Sequence, residues 1–247
     1  MTIFENLLSI KQEKGAGYLV LLDPDKQSPE QTVNRAAECA ENGADAILVG
    51  GSLLFSIEFD QLIEKVKEKV SKPVIIFPGS LRQISRFADA LLFLVLVSGR
   101  NAHNLIGEQV LAAPIVKRLG IEPISTGYML IQSGRPTAAQ FMSNTDPIPR
   151  HKPEIAVAHA LAAEYIGMKM AYLEAGSGAD EPVPNEMIYA VSQHATIPLI
   201  VGGGIREPKV ACEKVKSGAS FIVTGNVLEK NNDIGLVREF AAAVHQK

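Results

Sequence analysis

Tyr172-Leu173-Glu174-Ala175-Gly176-Ser177-Gly178 follows the short apolar run Met170-Ala171 and joins the end of a predicted strand to a glycine-rich turn. Two further glycine-rich stretches come later in the chain, Gly202-Gly203-Gly204-Ile205 and Thr224-Gly225-Asn226. Each of the three lies at the end of a predicted strand and is followed by a predicted helix. This repeated order of strand, glycine loop and helix is typical of an α/β fold.

The three glycine loops are suited to hold an anion. Glycine has no side chain, so the backbone N–H groups of such a loop can approach a phosphate closely, and a helix N-terminus adds about half a positive charge. We therefore predict that the three loops form one phosphate-binding cup. Glu174 is an ionisable group within this cup, and we expect the chemistry to begin there.

Eight apolar runs predict strands. They are Tyr18–Asp23, Ala44–Val49, Pro73–Phe77, Ala90–Val97, a run within Glu122–Gln132, Met170–Glu174, Ile197–Val201 and Phe221–Thr224. Nearly all are continuously apolar, as parallel strands covered on both faces are. Eight units of roughly 25–30 residues predict closure into a TIM (β/α)8 barrel. Because no linker or change of composition divides the chain, we expect residues 1–247 to form a single domain.

Amphipathic segments between these runs predict the helices. They are Pro29–Asn42, Glu58–Val70, Gly107–Leu119, Pro153–Ile166 and about Asp233–His245. The third unit is the weakest, because Ser80–Phe87 is short for a barrel helix. The segment Ser133–Pro149 is polar, contains three prolines and fits neither period. We expect it to be a loop or mobile segment over one mouth of the barrel.

Composition, charge and cysteine spacing argue against a nucleic-acid-binding, disulfide-bonded, secreted or membrane-spanning protein. With 24 basic and 27 acidic residues, a net charge of −3 and no basic tract, the chain is not suited to nucleic acid. Cys39 and Cys212 lie on predicted helices without metal-ligand spacing, so we expect buried thiols rather than a disulfide. Met1–Lys14 lacks the apolar core of a signal peptide, and Ala90–Val97 is far shorter than the ~20 residues of a membrane span. We expect a soluble, cytoplasmic protein with no transmembrane segment.

A second group of polar residues ends the first two predicted strands. Asp23-Pro24-Asp25-Lys26 follows the first strand and Gly50-Gly51-Ser52 follows the second. In a barrel these two strand ends are neighbours, and a carboxylate beside a hydroxyl suits Mg²⁺, which takes its other ligands from water and substrate phosphates. The alternative is that Asp23 caps the following helix and Ser52 only turns the chain.

Glu174 and Tyr172 are two residues apart on one predicted strand, so they point to the same side. As a carboxylate Glu174 could take a proton from a substrate hydroxyl, or it could pair with a nearby lysine or arginine. A glutamate at a strand end within a phosphate cup favours catalysis. Tyr172 could donate a hydrogen bond to the substrate or fill the barrel interior, and Tyr128 is a weaker case of the same kind. The histidines show no paired spacing, which argues against a histidine metal site.

Five motifs together resemble one known family. Leu22-Asp23-Pro24-Asp25-Lys26, Val49-Gly50-Gly51-Ser52, Tyr172 to Gly178, Gly202-Gly203-Gly204-Ile205 and Gly225-Asn226 are similar to those of the geranylgeranylglyceryl phosphate synthase family, which includes the bacterial heptaprenylglyceryl phosphate synthases. The resemblance spans the chain in the right order. It implies a modified TIM barrel, a prenyltransferase that joins a polyprenyl diphosphate to the sn-3 hydroxyl of sn-glycerol 1-phosphate with Mg²⁺, and a homo-oligomer, either a dimer or a hexamer.

The resemblance also implies roles for individual residues. Asp23 and Ser52 would bind Mg²⁺, and Glu174 would be the catalytic base, assisted by Tyr172. The glycerol phosphate would be held by Tyr172, Leu173, Glu174, Ala175, Gly176, Ser177, Gly178, Gly203, Gly204, Gly225 and Asn226. Many relatives have a lysine two residues before the metal aspartate, where this chain has Leu21. Together with the Ala-Gly-Ser-Gly ending of the tyrosine motif, this is similar to the second branch of the family, which mostly uses the C20 geranylgeranyl donor.

Two other functions fit the residues alone. One is a phosphosugar isomerase or indole-type lyase on the same phosphate-binding barrel, which would turn over without a prenyl donor or Mg²⁺ and would need a second acid–base residue. The other is a non-catalytic protein that binds a phosphate ligand, in which Glu174 would be dispensable.

Overall fold

Eight parallel strands close into a barrel in the computed structural model, each bonded to its neighbours in chain order and β8 to β1. The strands are β1 (Gly17–Leu22), β2 (Ala46–Val49), β3 (Val74–Ile76), β4 (Ala90–Val95), β5 (Glu122–Leu130), β6 (Met170–Glu174), β7 (Leu199–Gly202) and β8 (Phe221–Thr224). The structure describes residues 1–55, 58–80, 82–230 and 234–247, residues 229 and 230 by their backbone only. The predicted α/β barrel is confirmed, since each predicted strand is present.

Helices surround the barrel. They are α1 (Ile3–Lys14), α2 (Pro29–Glu41), α3 (Phe59–Lys69), α4 (Glu108–Leu119), α5 (Ala138–Ser143), α6 (Pro153–Tyr165), α7 (Asn185–His194), α8 (Pro208–Lys216), α9 (Asn226–Lys230) and α10 (Gly235–Val244), and a π-helix at His103–Gly107 leads into α4. Asp233, where we expected the last helix to begin, lies outside the described residues. The sequence analysis missed α1, although Thr2 and Glu5 form a capping box at its start.

The apolar strands bury side chains on both faces, as parallel strands between helices do. Alternate residues point into the barrel, where Leu19, Leu48, Ile75 and Ile200 form an inner core. Their neighbours point outward and pack against the helices, as Val20, Ile47 and Val201 do. These two layers hold the eight strand ends in a fixed ring, and the loops that leave the C-terminal ends share one mouth.

The third unit departs from the regular barrel. Between β3 and β4, the described residues 77–80 and 82–89 form turns and bends and no helix. The outer face of β4 therefore lacks its usual cover, and the outward-facing Phe93 and Val95 are only half-buried. The short Ser80–Phe87 stretch was the sequence signal for this gap, whereas the expectation that the strand within Ala90–Val97 is covered on both faces was wrong for residues 93–95.

The segment 133–149 is more ordered than the prediction of a loop or mobile segment. It contains α5, which begins after Thr137, and the Thr137 side chain accepts a hydrogen bond from the backbone N–H of Gln140. An isolated bridge between Ile131 and Ile148 joins the two ends of the segment. The helix was missed because α5 has only six residues, too few to show a hydrophobic period.

A buried carboxylate joins the two ends of the chain at the opposite, N-terminal mouth. Asp45 is 2% exposed; its Oδ1 lies 2.5 Å from Lys14 Nζ, and its Oδ2 accepts from the backbone N–H of Tyr18 at 2.8 Å and lies 2.9 Å from His245 Nε2. Asp45 thereby ties α1 and the residue after α10 to the barrel. Its distance from the C-terminal mouth separates this stabilising cluster from the loops described below.

Of the two cysteines, Cys39 is buried as expected, but Cys212 on α8 is partly exposed, because its sulfur faces the Gln246 side chain at the protein surface. Neither forms a disulfide. No helix among the described residues is both long and apolar enough to cross a bilayer.

Candidate active site

The three glycine loops meet at the C-terminal mouth of the barrel, as the sequence predicted. Glu174 lies beside Gly202 in register, and Gly202 lies beside Val223 at the end of β8. The backbone N–H of Ala175 also donates to the carbonyl of Gly202 at 3.0 Å. Together with the loops after β1 and β2, they enclose a cavity of about 590 Å³, which we call the cup.

Most of the predicted site residues line the cup. They are Asp23, Ser52, Tyr172, Glu174, Gly176, Ser177, Gly178, Gly203, Gly204, Gly225 and Asn226. Leu173 and Ala175 do not, because strand alternation turns their side chains into the outer core between barrel and helices. Of the helices that follow the three loops, only α9 begins within its loop, whereas α7 and α8 begin several residues later. The amides of the first two loops therefore come from glycine turns and not from helix N-termini.

Two of these glycines are required by their backbone. Gly203 has φ +81° and Gly176 has φ +104°, a region that disfavours residues with a side chain. A methyl group on Gly203 would overlap Oε1 of Glu174, and one on Gly176 would overlap the Thr137 side chain. The absence of side chains at these points lets the loops pack around Glu174 and leaves room for a ligand.

Glu174 is buried, with 6% of its surface exposed. Burial raises the pKa of its carboxyl group to about 7, although the Gly176 N–H, 2.5 Å from Oε1, and the nearby Tyr172 hydroxyl both favour the charged form. A carboxyl group that titrates near neutral pH can accept a proton from a substrate hydroxyl and release it again. The alternative of an ion pair is not seen, since no described lysine or arginine forms a salt bridge with Glu174.

Tyr172 belongs to an aromatic cluster at the floor of the cup. Its ring centroid lies 5.6 Å from that of Phe77 and 5.3 Å from that of Tyr128. Burial, followed by the charge of Glu174, raises the pKa of the Tyr172 hydroxyl well above its ordinary value, so the hydroxyl keeps its proton. This buried oxygen makes no hydrogen bond of good geometry with any described residue, although it lies close to the Glu174 carboxyl group. Tyr172 therefore both fills the barrel interior and offers a donor to the cup.

Asp23 and Ser52 lie on neighbouring loops, after β1 and β2, and the loop after β1 is next to the glycine loop after β8. A methyl group on Gly51, the residue before Ser52, would lie 3.3 Å from both carboxylate oxygens of Asp23. Asp23 does not cap α2, because Ser28 does so; Asp23 Oδ1 accepts instead from the N–H of Asp25 at 3.1 Å. The carboxylate and hydroxyl are thus positioned by neighbouring strand ends and line a common cavity.

A second cavity of about 390 Å³ adjoins the cup. It lies where the helix between β3 and β4 is missing, and its wall includes the outward side chains Leu91 and Phe93 and the α4 residue Ala112. We call this cavity the groove. Gly51, Ser52, Leu53, Phe77, Tyr128 and Ala139 line both cavities, so the cup and the groove lie side by side and share a wall. An elongated apolar ligand attached to an anion would fit this combination of cup and groove.

The segment 133–149 closes one side of the cup. Ser133 Oγ donates to the carbonyl of Ala175 at 2.5 Å, and the N–H of Asp180 donates to the carbonyl of Ser133 at 3.2 Å. From this segment Arg135 reaches Asp180 at 3.0 Å, and Ala138 and Ala139 line the cup. The segment is therefore part of the site wall.

Comparison with known proteins now adds an independent line of evidence. The model of the PcrB family matches residues 8–244. The chain belongs to the PcrB family. The geranylgeranylglyceryl phosphate synthases of Chitinophaga pinensis and Thermococcus gammatolerans are 44% and 48% identical to it, over 98% and 95% of this chain and 96% and 93% of theirs. The crystal structure of (S)-3-O-geranylgeranylglyceryl phosphate synthase from Thermoplasma acidophilum, in complex with the substrate sn-glycerol-1-phosphate, superposes with a TM-score of 0.94 at 35% identity, covering 100% of both chains.

Sequence reasoning missed several residues of this PcrB-family site. Arg135, Arg206 and Phe77 all line the cup, whereas Tyr128, a weaker candidate from the sequence, lies with Phe77 in the wall that the cup shares with the groove. Arg206 follows the Gly202–Ile205 motif directly, and that position was the available signal. Arg135 lies in a segment without periodicity, and nothing local to its sequence marks its approach to the loop after β6.

Proposed function

We propose that the protein is a geranylgeranylglyceryl phosphate synthase. It transfers a geranylgeranyl group from geranylgeranyl diphosphate to the sn-3 hydroxyl of sn-glycerol 1-phosphate and releases diphosphate. The observation that carries this proposal is that the anion-binding cup, which contains Glu174, adjoins an apolar groove and shares six lining residues with it. A single site of this kind can receive a polar acceptor and a hydrocarbon donor at once.

The acceptor is assigned to the glycine side of the cup. Backbone amides near Gly176, Gly203 and Gly225 surround a space lined by the side chains of Ser177 and Asn226, which suits a phosphate. The Thermoplasma acidophilum enzyme, which shares this fold over its whole length, was solved with sn-glycerol-1-phosphate. Both observations support the same acceptor for this chain.

The hydrocarbon tail of the donor is assigned to the groove. Burial of each CH₂ group contributes about 0.8 kcal/mol, so a C20 chain supplies ample affinity once it is in the groove. The allylic carbon joins the tail to the diphosphate, so it belongs at the junction of the two cavities, beside Phe77 and Tyr128. Aromatic faces there favour a developing positive charge.

The residues Asp23 and Ser52 fit a magnesium ion. They offer a carboxylate and a hydroxyl, both hard oxygen ligands, and line the cup where the remaining positions would face water and substrate. When bound, Mg²⁺ offsets the charge of a diphosphate leaving group. Asp23 and Ser52 would hold the ion at the end of the cup that adjoins the groove.

The chain's own groups account for the rest of the reaction. The cup orients the sn-3 hydroxyl beside the allylic carbon, which contributes through proximity. The ether C–O bond forms as the allylic C–O bond to diphosphate breaks, and the hydroxyl proton passes to Glu174. The negative charge of Glu174 before this transfer also favours the cationic carbon. Tyr172, protonated at neutral pH, donates a hydrogen bond to the acceptor.

The two rival functions explain less of the structure. A phosphosugar isomerase or lyase does not require the groove beside the cup. A non-catalytic binding protein does not require a buried glutamate whose pKa is about 7.

We also propose a homo-oligomer, either a dimer or a hexamer, and the large exposed side chains Tyr165, Ile166 and Tyr189 on the outer helices are consistent with a protein interface. A monomer in size-exclusion chromatography with light scattering would contradict the proposed homo-oligomer.

The direct test is incubation of the purified protein with geranylgeranyl diphosphate and sn-glycerol 1-phosphate. We expect ether product with Mg²⁺ and none after chelation with EDTA, and recovery when Mg²⁺ is added back. Asp23→Asn and Ser52→Ala should raise the Mg²⁺ concentration needed for half-maximal rate. An absence of product with both the C20 and the C35 donor would refute the proposed function, whereas full activity in EDTA would refute only the metal assignment.

A further inference from the structure

Lys26 lies between Asp23, in the loop after β1, and the glycine loop after β8. It follows β1 in the loop that begins with Asp23, and its Nζ lies 3.6 Å from Asp23 Oδ2. On the other side the same Nζ donates to Asn226 Oδ1 at 2.8 Å, in the loop after β8. The ammonium group therefore joins the proposed metal-binding side of the cup to its glycine side.

A second donor points to the same oxygen of Asn226. Ser177 Oγ, in the loop after β6, donates to Asn226 Oδ1 at 2.9 Å. An ammonium group and a hydroxyl group from two separate loops thus converge on one neutral amide oxygen. A phosphate oxygen would be a stronger acceptor for the same pair, because its negative charge also attracts the ammonium group, which a neutral amide oxygen does not do to the same extent.

The other cations of the cup are committed elsewhere. Among the described residues that line it, Arg135 forms a salt bridge with Asp180, and Arg206 donates to the carbonyls of Ala179 and Asp180 at 2.6 and 3.1 Å. On β1 itself, the cup is lined by Leu21, which carries no charge. Lys26 is the cationic side chain that reaches the group of Ser177 and Asn226.

We propose that Lys26 binds the phosphate of the acceptor, so that its ammonium group and the Ser177 hydroxyl donate to phosphate oxygens in the complex. This inference rests on the proposed function for the identity of the acceptor. It adds a charged side chain to a phosphate site that the glycine loops otherwise form from backbone amides and neutral side chains. Because Nζ also lies near Asp23, Lys26 sets the distance between the acceptor phosphate and Asp23.

The experiment measures acceptor affinity without any turnover. Isothermal titration of sn-glycerol 1-phosphate into the full-length protein, with no prenyl donor, gives its Kd for the wild type, Lys26→Met, Lys26→Arg and the control Lys65→Met. Lys65 is an exposed lysine on α3 that does not line the cup. We expect Lys26→Met to raise the Kd about 10- to 100-fold, the loss typical of a charge-assisted hydrogen bond, and Lys26→Arg and Lys65→Met to stay within about fivefold, since both keep a cation at position 26.

A double-mutant cycle with Asn226→Ala separates direct contact from support of Asn226. If Lys26 touches the phosphate, Lys26→Met/Asn226→Ala binds the acceptor clearly more weakly than Asn226→Ala alone. If the double variant equals Asn226→Ala, Lys26 acts only through Asn226 and the proposal is overturned. A Kd for Lys26→Met within threefold of wild type, in a variant with unchanged thermal unfolding, overturns it as well.

Steady-state kinetics complete the test. We expect Lys26→Met to raise the KM for sn-glycerol 1-phosphate while the KM for geranylgeranyl diphosphate changes less than threefold. An increase confined to the donor KM would assign Lys26 to the diphosphate and overturn the proposal. A wild-type protein that binds sn-glycerol 1-phosphate but makes no ether would refute the proposed function and leave the binding result intact.

Discussion

The Cα atom of Gly203 packs against the carboxylate of Glu174, so closely that a methyl group on Gly203 would overlap Oε1. The second glycine of one loop thus fixes where the carboxylate of another loop can lie. The carboxylate that we propose as the base is held in position by the absence of a side chain on Gly203, and this contact gives the first prediction.

Gly203→Ala should abolish most ether synthesis. The substitution adds backbone strain at φ +81° and displaces the Glu174 carboxylate or the loop that carries it. Gly120→Ala is the matched control, because Gly120 has φ +72° but no atom near the position of an added methyl group. Both variants should lose stability to a similar strain, and only Gly203→Ala should lose activity. Equal activities in a coupled diphosphate-release assay would contradict this.

The rate should depend on pH through Glu174. With its pKa raised to about 7 by burial, the free enzyme holds a protonated, inactive carboxyl group below neutral pH and a carboxylate above it. We expect kcat/KM to rise tenfold per pH unit below about pH 7 and to level off above it. Glu174→Gln should lower kcat by about 10²- to 10⁴-fold and remove this rise, while sn-glycerol 1-phosphate still binds. A wild-type profile that is flat from pH 5 to 8 would exclude Glu174 as the base.

The same substitution should stabilise the fold at neutral pH. A carboxyl group whose folded pKa is raised from 4.5 to about 7 binds more protons in the folded state, so the free energy of unfolding falls as pH rises through that range. The penalty for keeping Glu174 charged reaches about 3 kcal/mol at most. Glu174→Gln should therefore unfold at a higher temperature than wild type at pH 8, with little difference at pH 4.5. Glu154→Gln, at an exposed position on α6, should show no such pH-dependent gap in calorimetry.

Much of this site was predictable because its parts are local. Apolar strands and the glycine loops that follow them are short sequence patterns, and the barrel brings their ends together automatically. Residues such as Asp23, Ser52 and Glu174 are therefore found from strand ends alone. Arg135 could not be found in this way, because its contact with Asp180 depends on how a segment without periodicity folds over the mouth.

The groove was beyond prediction for a different reason. It is formed by a missing helix, and the sequence between β3 and β4 indicated only that the helix would be short. Which side chains line such a gap depends on packing from α4 and the segment 133–149, so residues such as Ala112 carry no signal of their own. The sequence located the cup residue by residue and left the groove without defined walls.

Ala112→Phe should shorten the donor that the enzyme accepts. Ala112 is 8% exposed and lines the groove from α4, so a phenyl ring there fills space that a C20 tail needs. We expect the KM for geranylgeranyl diphosphate to rise at least tenfold, with little change for a C10 donor. Ala113→Phe, on the exposed side of the same helix, is the control and should leave both values unchanged. Equal losses with the C10 and C20 donors would show that Ala112 does not bound the tail.

Asp45 should stabilise the fold at neutral pH and lose this effect in acid. Burial alone would raise its pKa, but hydrogen bonds from His245, Lys14 and the Tyr18 N–H outweigh burial and hold the pKa below its ordinary value. This stabilisation is fully present above the ordinary aspartate pKa of about 4 and is lost as pH falls below it. Asp45→Asn should cost about 2–4 kcal/mol at pH 7, measured by urea unfolding, and less at pH 3.5. Activity per folded molecule should not change, and Asp146→Asn, at an exposed position, should leave stability unaltered.

The gap beside β4 has a consequence for how the protein meets its ligand. In a regular barrel a helix of the same chain would cover that strand. Here the isoprenoid tail of the donor would cover it instead, so that a bound ligand completes the hydrophobic core on that side. A saturating donor should then slow hydrogen exchange of the β4 amides more than glycerol phosphate does, because it completes the wall on that side.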